Sequence, residues 1–123
     1  MPNTVLSCAV GIHPSPHVQL LQKSGPTMEQ MLRAVSVPLL YCPSWNDPPS
    51  LREGGYWMKL LNEGGGKGSK SVLFNNQIHG WAIRADIRVP QNKRDFDKLM
   101  SLMLDFFAEH LEGKVPHTTT ARL

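Results

Sequence analysis

The sequence predicts an α/β protein: a parallel sheet of about three strands flanked by helices, with a long C-terminal amphipathic helix. Three observations carry this. The apolar runs Val37-Pro38-Leu39-Leu40-Tyr41-Cys42 and Ser71-Val72-Leu73-Phe74-Asn75-Asn76 each have the length of a buried strand. The chain between them is about one crossover helix long, which forces the two strands parallel. Residues 92–112 repeat apolar side chains at the helical period. A chain of 123 residues is one domain. That size buries roughly two-thirds of the surface exposed by the unfolded chain.

In chain order, residues 4–12 are β-branched and apolar, a strand stopped by His13-Pro14-Ser15-Pro16. Residues 16–26 read as a loop. Thr27 and Gln30 have capping-box spacing and open a helix to about Ala34. The strand at 37–42 gives way to the turn-rich Pro43-Ser44-Trp45-Asn46-Asp47-Pro48-Pro49. Ser50 and Glu53 repeat the capping-box spacing, predicting a helix to about Asn62 with Trp57, Leu60 and Leu61 inward and Gly54-Gly55 weakening its first turn.

The run Gly64-Gly65-Gly66-Lys67-Gly68-Ser69-Lys70 lacks phosphate-loop spacing and precedes a strand instead of following one, so it reads as a flexible connection. After the strand at 71–76 comes His79-Gly80-Trp81, then an irregular charged stretch from 84 to 90. The last helix, about 92–112, places Phe96, Met100, Met103, Phe107 and Leu111 on one face, with Gly113 suited to end it. Residues 1–113 form the domain and 114–123 a loose polar tail.

The net charge of +3 is mild, and the basic pair Lys67 and Lys70 has no aromatic interleaving, which argues against nucleic acid. Prolines break the other apolar runs short of a membrane span, and the start lacks the basic residues of a signal peptide. A soluble cytoplasmic protein with no membrane partner is expected. The alternative is peroxisomal, because Ala121-Arg122-Leu123 resembles the small-basic-leucine address. Cys8 and Cys42 sit in apolar runs as buried thiols. His13 reads as a turn residue, and His17, His110 and His117 lack partners at metal spacing, so neither metal nor cofactor is expected.

Parallel strands gather their following loops at one carboxyl edge, where open α/β sheets bind ligands. Asp47 follows one strand and His79 the next. Taken singly, Asp47 is a turn aspartate before two prolines and His79 a strand-end histidine held by a carbonyl. Taken together they are an acid and a base. A buried carboxylate on Nδ1 fixes the imidazole tautomer and directs Nε2 to proton transfer.

The order strand, Asp47 loop, helix, glycine-rich turn, strand, His79-Gly80-Trp81, Arg84 and a long Phe-rich helix resembles the C-terminal half of dienelactone hydrolases, members of the α/β-hydrolase superfamily. His13-Pro14-Ser15 resembles the end of that family's strand after the nucleophile helix, so the resemblance covers residues 4–112. It implies a truncated α/β-hydrolase-like sheet and hydrolysis of small esters or lactones by a Cys-Asp-His triad. Asp47 would be the orienting acid and His79 the general base. Arg84 would hold a substrate carboxylate, with Trp81 beside it where the family commonly has Phe.

A nucleophile elbow needs glycines two before and two after the nucleophile. Cys8 has Leu6 and Val10 there, and Cys42 has Leu40 and Ser44, so neither is the family's cysteine. The elbow and oxyanion hole are therefore expected to precede residue 1. The resemblance leaves two alternatives: a hydrolase with only Asp and His present, or an inactive remnant serving interaction or oligomerisation. Both predict association at the exposed edge of the first strand, with a second copy or a partner chain.

Overall fold

The computed structural model describes residues 6–13 and 25–111. Strands β1 (Ala9–Ile12), β2 (Leu39–Cys42) and β3 (Lys70–Ser71) form a parallel sheet in the order β1-β2-β3. Ala9 registers with Leu39 and Ile12 with Cys42, while Leu40 registers with Lys70. Helices α1 (Met28–Ala34) and α2 (Tyr56–Glu63) enclose one core with Leu39 and Tyr41. Leu40 and Cys42 join a second core with α3 (Trp81–Arg84) and α4 (Pro90–His110). Alternation along β2 thus feeds two helical layers, the pattern of a parallel strand buried on both faces. The chain is an α/β fold.

Thr27 forms the expected capping box: its side chain accepts from Gln30 N, and the Gln30 side chain accepts from Thr27 N at 2.8 Å. The second capping box does not form. Pro49–Leu51 is a 3₁₀ turn, and α2 begins only at Tyr56 with Gly55 as its N-cap. The cause is local: Pro48-Pro49 sets an early turn and Gly54 takes φ +78°, so no helix runs through from Ser50.

The third strand is shorter than its apolar run. After Lys70–Ser71 only Phe74 resumes pairing, through a bridge to Ser44. Helix α4 starts two residues before the expected 92, with Pro90 in the first turn, and Leu111 turns extended after His110. Gly113, the tail and Ala121-Arg122-Leu123 lie outside the described residues.

The buried stripe of α4 is also rotated from the expected one. Leu99 and Phe106 are buried with Phe96 and Met103 against them, whereas Met100 is 41% exposed and Leu111 39%. Apolar residues occupy two adjacent stripes of this helix, and periodicity alone does not say which one meets the sheet.

The glycine-rich run is tied to its surroundings by hydrogen bonds. Asn62 Oδ1 accepts from Gly68 N at 2.9 Å, and its Nδ2 donates to the carbonyls of Met58 and Ser69. Ser69 Oγ accepts from Leu39 N at 2.9 Å, tying the turn to β2. A Cβ on Gly65 would stand 2.8 Å from the Val35 carbonyl oxygen and 2.9 Å from Ser36 Cα. Both are backbone atoms that cannot swing away. Gly65→Ala is expected to destabilise the fold by about 1–3 kcal/mol, the usual range for overpacking, as a lowered urea midpoint with unchanged m-value.

Lys70 pairs with Glu109 at 3.0 Å, so the basic pair seen in the sequence is partly neutralised. No helix among the described residues is long and apolar enough to cross a membrane.

Candidate active site

Three consecutive strand ends converge at the carboxyl edge: His13 after β1, the loop after β2 and the loop beyond β3. The second loop closes on itself. Ser44 N donates to Asp47 Oδ2 at 2.7 Å, and Asp47 N donates to the Ser44 carbonyl at 3.1 Å. This reciprocal pair is the short-range backbone bonding that favours Asp in turns. It leaves Asp47 Oδ1 facing the third strand's loop.

Beyond the Phe74 bridge, further hydrogen bonds join the two loops. Trp45 N donates to the Gln77 carbonyl at 3.1 Å, His79 N donates to Asn46 Oδ1 at 2.8 Å, and His79 Nδ1 lies 2.7 Å from Asp47 Oδ1. The Asp47 side chain is 2% exposed and that of His79 39%. A carboxylate only accepts, so Nδ1 carries the hydrogen, and in the neutral ring that leaves the lone pair on Nε2. The aspartate is thus held by a backbone amide on one oxygen and by the imidazole on the other. Such a charge-assisted bond is shorter and stronger than a neutral one.

Gln77 anchors the third loop to α4. It is buried, and its Nε2 donates to Asn92 Oδ1 at 3.0 Å and Asp95 Oδ2 at 2.8 Å. Gly80 then takes φ +89°, turning the chain sharply into α3 directly after His79. Trp81 is 3% exposed, its ring tilted against Phe74 at 5.2 Å between centroids, with Nε1 buried and unpartnered. Arg84 is exposed, and its guanidinium reaches back to the His79 carbonyl at 3.4 Å. His79, Trp81 and Arg84 share the wall of an open cavity of about 430 Å³ with Gln77, Ile78 and Asn92. The four residues singled out from the sequence therefore lie at one edge, with Trp81 chiefly a core residue whose ring backs the cavity.

His13 was expected only to end a strand. Its imidazole meets that of His79 edge-on, 5.0 Å between centroids and 68° between planes. Its N–H donates to the Cys42 carbonyl at 2.9 Å, extending the β1–β2 ladder to the site. Burial holds the His13 ring below the usual histidine range, and nearby His79 pushes the same way. Asn46 and Gln77 had no motif to mark them, and the His13-Pro14-Ser15 resemblance gave His13 no role in the site. His13 alone was recoverable, since it ends the strand beside the Asp47 strand.

Neither cysteine is an activated nucleophile. Cys42 is fully buried in the α3–α4 core, and burial pushes its thiol up to about 12; burial raises Cys8 as well. Cys42 is expected to resist iodoacetamide at pH 7.5 in the folded chain and to react once urea unfolds it, as read by mass spectrometry. Among the described residues no group of three or more His, Cys, Asp or Glu could hold a metal ion. Comparison of the chain with family models, curated proteins and solved structures gives no match.

Proposed function

We propose that this chain is a dienelactone hydrolase-like module of the α/β-hydrolase type, supplying the acid and base for hydrolysis of small carboxylic esters or lactones. The bond between Asp47 Oδ1 and His79 Nδ1 at 2.7 Å, at the carboxyl ends of adjacent parallel strands, supports this reading. Asp47 fixes the tautomer and stabilises the imidazolium that forms; His79 takes a proton from the nucleophile and returns it to the leaving oxygen. Arg84, exposed at the cavity wall, is placed to attract a substrate carboxylate, and Trp81 backs the cavity.

Neither cysteine has the elbow glycines and burial raises both thiols, so in this reading the nucleophile comes from a second polypeptide or from water activated by His79. A second chain would meet β1, whose only strand neighbour among the described residues is β2. The buried thiol favours the alternative reading, an inactive module associating through that edge. Hydrolysis of a panel of p-nitrophenyl esters and small lactones by the full chain separates the two. Turnover above that of free imidazole, dependent on His79, supports the hydrolase. A rate equal to imidazole, unchanged in His79→Ala, rejects activity in this chain.

A further inference from the structure

We infer that His13 is a positioning residue for His79: a ring wall at the end of β1 that holds the His79 imidazole in the plane from which Asp47 can bond it. The inference rests on the proposed acid–base role of the Asp47–His79 pair. The hydrogen bond at Nδ1 fixes one point of the imidazole, whose side-chain torsion is of a kind that is otherwise broad. The Asn46 bond fixes the His79 backbone, not its ring. The edge-on packing of His13 at 5.0 Å bears on the ring itself.

Two further features of His13 fit this role. It is the one non-glycine residue at positive φ, +38°, among the described residues. That conformation is uncommon outside glycine and is tolerated better by Asn, Asp and His than by most side chains. Strain of this kind persists where surrounding structure imposes it and collects at functional sites. Its Nε2 is also buried without a hydrogen-bond partner, so the ring is placed for its shape at the expense of a polar atom. The charged groups around it are His79, Asp47 and Arg84.

The test reads the Nδ1 proton of His79 directly, by proton and nitrogen NMR of the full chain. A proton bonded to a buried carboxylate exchanges slowly and resonates far downfield, and Asp47→Asn identifies the signal by shifting or abolishing it. His13→Asn keeps the left-handed backbone but removes the ring; His13→Phe keeps a ring without a titratable nitrogen. The expected result is a signal present in the native chain and in His13→Phe, and broadened or lost in His13→Asn, with the amide spectrum of the sheet retained. An unaltered signal in His13→Asn overturns the inference, as does its loss in His13→Phe as well, since then the imidazole and not the wall is required. Should His13→Asn not fold, His13→Gly, which accepts the same φ, takes its place. Absence of ester turnover with the signal behaving as expected rejects the hydrolase reading and leaves the positioning role standing.

Discussion

Replacing His79 by alanine is expected to lower p-nitrophenyl acetate turnover by the full chain by about 10²-fold or more, the lower end of what a positioned general base contributes. The expectation follows from geometry. His79 is the partly exposed member of the pair, and its Nδ1 is held 2.7 Å from a carboxylate that is itself 2% exposed. Asp47→Asn tests the other half. The amide keeps the shape of the carboxylate but can donate to Nδ1, which presents the wrong tautomer, and loss of rate by a comparable factor is expected. His110→Ala is the control, because His110 packs on Phe106 on α4 and not at the loop edge. A fall equal to that of His79→Ala would mean that any imidazole in this chain cleaves activated esters, and the pair would have no special part.

The second large effect concerns stability. Phe106→Ala is expected to cost about 3–5 kcal/mol, because Phe106 is 3% exposed and joins Leu40, Phe74, Trp81 and Leu99 in one core. Domains of this kind are stable by about 5–15 kcal/mol, so the loss removes a large share of the total. Met100→Ala, on the neighbouring stripe, is expected to stay within about 0.5 kcal/mol, as surface substitutions do. Urea unfolding of the two variants side by side decides which face of α4 meets the sheet. Equal losses would contradict the orientation described.

Much of the architecture is legible in the sequence because strong local signals agree with one another. The apolar runs ending at Cys42 and containing Phe74, with a helix-length crossover between, are enough to make the strands parallel and bring Asp47 to His79. Thr27 and Gln30 cap α1 as their spacing predicts, since both side chains are exposed and no tertiary contact competes. Ser50 and Glu53 have the same spacing and form no box, because two prolines before them and two glycines after them already dictate the turn. The face of α4 is misread for a different reason. Phe107 and Leu111 are as apolar as Phe106, and only the position of β2 and β3 selects between them. In the site, the Asn46 bond depends on where two loops meet and the Gln77 bonds on where a loop meets α4, 33 and 15–18 residues away along the chain. No short-range pattern encodes that.

Asp47 and His79 stand 32 positions apart and come together only across the whole crossover from β2 to β3. Local helices can arise early in folding, whereas long-range pairings await closure of the intervening chain. The imidazole–carboxylate contact is therefore expected to form late. A refolding chain monitored at that proton should regain helical circular dichroism first and the proton last, which makes one resonance a stopwatch for completion of the sheet.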